Sequence, residues 1–78
     1  MNDEIYRVFS RVALDVGNRT FSPEELEQPL SELNIDSVEL MEMFGMMEEE
    51  LGLLLSESEI AEIQTLEQLL AVMSQKTT

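Results

Sequence analysis

The chain has no cysteine and no histidine. Without cysteine, neither a disulfide nor a thiolate-bound zinc can brace so small a fold. Without histidine, the usual proton-transfer group near neutral pH is missing, so acid–base catalysis of the common kind is excluded. Any thiol or imidazole chemistry has to come from outside. Bases are nearly as scarce: Arg7, Arg11, Arg19 and Lys76 face seventeen Asp and Glu, for a formal net charge of −13. Fourteen of those acids fall between Thr20 and Gln75, a stretch with no base at all. Such a field repels nucleic acid and anionic membrane and draws in basic protein surfaces. No run approaches the roughly 18–20 apolar residues of a membrane span. The opening MNDEIYRVFSRV carries acids where a secretory signal carries a basic segment and an apolar core. The expectation is a cytoplasmic protein whose partners include neither nucleic acid nor membrane.

What is present is patterned. Seventy-eight residues suffice for one small domain, 1–78, and 44% of them are hydrophobic, set at regular intervals that argue against disorder. From Asp3 to about Val16, Ile5, Val8, Phe9, Val12, Ala13 and Val16 recur at helical steps, with Asn2 or Asp3 as cap and Gly17-Asn18 as terminator. Thr20 to Asn34 reads as a long connection: Ser22-Pro23 favours a turn or a short helical start, Pro29 interrupts anything longer, and Leu26, Leu30 and Leu33 tether it.

The second helix runs from Ser37 to about Leu51. It is capped by Asp36 or Ser37 and closed by Gly52, with Leu40, Phe44, Met47 and Leu51 as its stripe and Met41 and Met43 widening it. Gly45 inside it has no packing reason visible in the sequence. Ser56-x-x-Glu59 and Thr65-x-x-Gln68 are capping-box patterns. The first opens a short third helix with Ile60 and Ile63; the second opens a fourth with Leu66, Leu69, Leu70 and Met73 buried. SQKTT reads as a frayed tail, residues 75–78 above all. No strand alternation occurs. The fold class is all-α: a small four-helix bundle with a long loop between helices 1 and 2 and a short helix 3.

Asp36-Ser37 at a helix start is, taken alone, an ordinary cap. In context the residues Leu33-Asn34-Ile35-Asp36-Ser37-Val38, followed by VEL, EEELG, a short helix and TLEQLLAVM, resemble the acyl carrier protein family, most firmly from Leu30 to Met73. The resemblance implies a non-catalytic carrier. Ser37 would receive 4′-phosphopantetheine from coenzyme A as a covalent cofactor, and Asp36 would support the modification site by helping to hold the transferase's divalent metal. No metal of the chain's own is implied. The arm's thiol would supply what a chain without cysteine lacks.

The implied partners are a phosphopantetheinyl transferase, acyl transferases and ketosynthase-type enzymes, all separate proteins with basic docking surfaces that meet a monomeric carrier. Val38, Glu39, Glu42, Glu48 and Glu49, with Glu50, form the expected docking strip; as plain chemistry the same acids are a solubilising helix face. Met41, Met43, Met46, Met47 and Met73 fill an irregular core, or Met47 and Met73, with Leu51, Leu55 and Ile60, line an interior pliable enough to shelter cargo. Asn34, Val38 and Gly45 depart from the family's customary glycine, leucine and larger side chain. Ile35-Asp36-Ser37 and the acidity resemble carriers of fatty-acid or polyketide type. The alternatives are a peptidyl or aminoacyl carrier, and a non-carrier acidic helical module that binds a basic partner. A calcium adaptor is excluded for want of an EF-hand loop.

Overall fold

The computed structural model describes residues 3–77, so the alternative cap Asn2 and the last residue, Thr78, lie outside the described residues. Helix α1 spans Asp3–Gly17 and buries Ile5, Phe9, Val12 and Ala13, the stripe that the spacing predicts. Asn18 turns left-handed at φ 51, and the amides of Asn18 and Arg19 donate to the carbonyls of Leu14 and Ala13, closing the last turn.

The connection is more ordered than a loop. The Ser22 hydroxyl accepts from the Glu25 amide at 3.2 Å while the Glu25 carboxylate accepts from the Ser22 amide at 2.9 Å. This reciprocal cap starts a one-turn helix, α2 (Pro23–Leu26), with proline at its head. After Pro29 a 3-10 turn covers Leu30–Glu32. Leu26 and Leu33 are buried and Leu30 is half-buried, as expected of tethers. Phe21 lies against Phe9, ring centroids 5.8 Å apart. The Leu30 amide donates to the Gln64 carbonyl at 2.8 Å and ties the connection to the far end of the chain.

Helix α3 spans Ser37–Leu51 and ends at Gly52, left-handed at φ 67, whose amide and that of Leu53 both donate to the Glu48 carbonyl. Met43, Phe44 and Met47 are buried, with Leu40 and Leu51 packed on the core's edge. Met41 does not widen the stripe: it is 54% exposed. It stands about 100° round the helix from Leu40, past the edge of the face that meets α1.

Helices α4 (Glu57–Glu62) and α5 (Leu66–Lys76) begin at Ser56 and Thr65, each with both capping-box bonds formed. Helix α5 runs on through Ser74, Gln75 and Lys76, so the expected tail is helical as far as Lys76 and Thr77 caps it. The Lys76 ammonium reaches Glu59 at 3.0 Å, and a cation in the last turn suits the helix dipole.

The result is an all-α bundle of four principal helices. Helix α1 packs chiefly on α3 and also on α5. Val12, Met47, Leu66, Leu69, Leu70 and Met73 lie fully buried at the centre, each contributing about 1.5–3 kcal/mol through burial. Helix α4 buries no residue fully and is held by the packing of Ile60 and of Ile63 at its end, and by Lys76. Among the described residues no helix is long and apolar enough to cross a membrane.

Candidate functional site

The corner leading into α3 is built from Leu33 to Val38. Leu33 is buried and anchors it. Asn34 follows at φ 58, the left-handed conformation that asparagine tolerates better than most residues and that the customary glycine would adopt freely. Asp36 is the N-cap, extended at φ −65 and ψ 141, and its Oδ1 accepts from the Val38 amide at 2.8 Å. Of the two candidate caps, the aspartate does the capping. Ser37 is therefore left as the first residue of a 15-residue helix, exposed, at the end where the dipole is positive.

A residue that the sequence reading passed over fixes this corner. Arg19 reaches across from the end of α1, donating through Nη2 to the Leu33 carbonyl at 2.7 Å and through Nη1 to the Asn34 carbonyl at 3.2 Å. Its guanidinium lies 4.9 Å from the centre of the Phe21 ring. The available signal was its isolation, as the sole base between Arg11 and Lys76.

The residues of the expected docking strip divide by direction. Val38, Glu42, Gly45 and Glu49 point outward; Val38 is 67% exposed, and a Cβ built on Gly45 would meet no atom within 4 Å. Glu39 does not join them. It turns toward the end of α1, its Oε1 shut off from solvent without a hydrogen-bond partner, over a Gly17 whose missing side chain makes the room. Glu48 turns the other way, and its Oε2 accepts from the Leu55 amide at 2.8 Å, bracing the link to α4. Glu50 pairs with Arg11 at 2.6 Å on the open surface. Beside Ser37 an open groove is lined by Val16, Gly17, Asp36, Val38, Glu39 and Glu42. The methionines also divide: Met43, Met47 and Met73 are buried, Met46 is half-buried and Met41 faces solvent. Met47, Leu51, Leu55, Ile60 and Met73 all belong to, or pack against, the one closed core.

An exposed hydroxyl at a helix start, its capping duty taken by a neighbour, is open to esterification. The phosphopantetheine attachment site family matches residues 11–73, which take in the whole of this corner, Arg19, α2, α3 and α4, and the greater part of α5 with the second half of α1. No curated protein and no solved structure matches the chain.

Proposed function

The chain belongs to the phosphopantetheine attachment site family, and from that premise we propose that Ser37 bears the arm and that the cargo is an acyl group of fatty-acid or polyketide type. The family's group is 4′-phosphopantetheine, joined covalently to the protein. The observation that carries the assignment to Ser37 is the division of labour at the cap: Asp36 takes the Val38 amide, and the serine hydroxyl stays exposed. The helix end suits a phosphodiester: it is the positive end of the dipole, and Val38 beside Ser37 is 67% exposed. The groove alongside, lined by Asp36, Glu39 and Glu42, is acidic and offers the phosphate no charge partner.

In the modification, the Ser37 oxygen forms a bond to the β-phosphorus of coenzyme A and the pyrophosphate link to 3′-phosphoadenosine 5′-phosphate breaks. The hydroxyl proton passes to a base of the transferase, and 3′-phosphoadenosine 5′-phosphate leaves. Once attached, the arm supplies a thiol that holds cargo as a thioester; the chain itself orients and presents, and catalyses nothing. Asp36 keeps its capping bond and offers its carboxylate to the transferase's metal.

Carrier domains work with biosynthetic enzymes, and here we read those as basic-surfaced transferases and synthases, met by a monomeric carrier in the cytoplasm. Glu42, Glu49 and Val38 form the outward contact. Such charge speeds encounter more than it deepens affinity, which suits a partner that must also leave.

The test is incubation with coenzyme A, magnesium and a broad-specificity phosphopantetheinyl transferase, read by intact mass. One phosphopantetheine on the wild type and none on Ser37→Ala is the expected result. An unchanged wild-type mass, or modification that survives Ser37→Ala, rules the assignment out.

A further inference from the structure

We propose that Arg19 is a positioning residue for the modification of Ser37: it holds the backbone ahead of the helix in the one shape that the transferase binds. The inference rests on the Ser37 assignment and adds to it a residue eighteen positions away in sequence.

Three contacts converge on this side chain. Its guanidinium donates to the carbonyls of two consecutive residues, Leu33 and Asn34, at 2.7 and 3.2 Å. Its plane is steadied by the Phe21 ring at 4.9 Å. A planar fork with fixed donors can span adjacent carbonyls, which a lysine ammonium cannot do in the same geometry. One of those carbonyls belongs to Asn34, whose left-handed backbone is the least favourable conformation in the corner. The bonds therefore act where the chain has most reason to relax, two residues before Asp36 and three before Ser37. The rest of the corner is lightly held. Ile35 is half-buried, Asn34, Asp36 and Ser37 are exposed, and the one side-chain bond within it is the Asp36 cap. Arg19 thus links the end of α1, a core helix, to a loop with little packing of its own.

The consequence is kinetic. With the strut gone, the corner samples other shapes and only a fraction of molecules is fit to bind, which raises the apparent dissociation constant by the inverse of that fraction. Once bound, the serine reacts as before. Losing two hydrogen bonds predicts a rise of about tenfold in the transferase's KM for the Arg19→Ala carrier, with kcat little changed. Arg19→Lys, whose donors all sit on one compact ammonium, recovers part of the loss.

The experiment measures KM and kcat for the wild type, Arg19→Ala and Arg19→Lys, using coenzyme A and a purified transferase. Amide hydrogen exchange of residues 33–38 is followed in parallel against that of α1 and α5. Support is a raised KM, steady kcat and faster exchange confined to 33–38. Wild-type KM in both variants overturns the inference, as does a loss confined to kcat. A raised KM with unchanged exchange also overturns it, since Arg19 would then be touching the transferase directly. If Arg19→Ala is unfolded at the assay temperature, Arg19→Lys decides by the same criteria. A wild type that is never modified sinks the Ser37 assignment instead, and the exchange data then judge the strut alone.

Discussion

Replacing Gly45 with alanine should make the protein more stable. Gly45 sits in the middle of α3 on the solvent side, and a Cβ placed there meets nothing within 4 Å. The substitution adds no clash and fills no cavity. Its effect is on the unfolded chain, which loses freedom, and on the helix, which gains a better former. The gain expected at such a site is about 0.5–1 kcal/mol. For a domain of this size, each kcal/mol raises the melting temperature by about 4–8 °C. Thermal and urea unfolding followed by circular dichroism would measure it, with an unchanged urea slope as the sign that only stability moved. Gly52→Ala is the internal contrast. At φ 67 an alanine is strained, and a loss of about 1–2 kcal/mol is expected. A neutral or destabilising Gly45→Ala would refute the reasoning, and would mean that the bare helix surface serves the fold in some way the packing does not reveal. A stabilised variant that the transferase modifies more slowly would place the reason for Gly45 in docking.

Two further outcomes follow from the way the acids divide. Glu48→Ala should cost about 1–3 kcal/mol in urea unfolding, because the Leu55 amide loses its acceptor in a partly buried spot, whereas Glu42→Lys with Glu49→Lys should leave stability intact and slow modification by a basic transferase at low salt. Equal stability for Glu48→Ala and wild type would remove the first half, and unchanged rates the second. The Glu59 carboxyl is held below its ordinary value of 4.5 by the Ser56 amide first and the Lys76 ammonium second. Folding therefore favours its ionised form: the contribution is complete above pH 4.5 and fades as pH falls through the lower folded value. The stability difference between wild type and Glu59→Gln should be present at pH 7 and vanish in stronger acid; a difference independent of pH would count against it.

How much of this was legible beforehand depended on how local each signal is. The cap at Ser56 with Glu59, the cap at Thr65 with Gln68 and the terminator Gly52 each act within one turn, so their residues place the helix ends directly. The same device at Ser22 and Glu25 ordered a segment that length alone marks as a loop, with Pro23 fixing the first turn. The direction of a flanking side chain is different. Glu39, Glu48 and Met41 lie on the shoulders of α3, and which way each turns depends on a glycine in α1, a free amide beyond Gly52 and the edge of the core. The glycine and the amide lie more than one turn away in sequence, out of reach of a local pattern. Arg19 is the sharpest case, since its two acceptors are backbone carbonyls, which every residue has, and no pattern of residue types announces them.

The arrangement at Asp36 has a consequence for traffic. Because the aspartate holds the Val38 amide, the oxygen of Ser37 takes no part in keeping the helix wound. If Ser37 carries the arm as proposed, loading it removes no bond that holds the helix, so the bare and the laden forms keep the same fold. Partners would then distinguish them by what hangs from the tether and not by a change in the bundle.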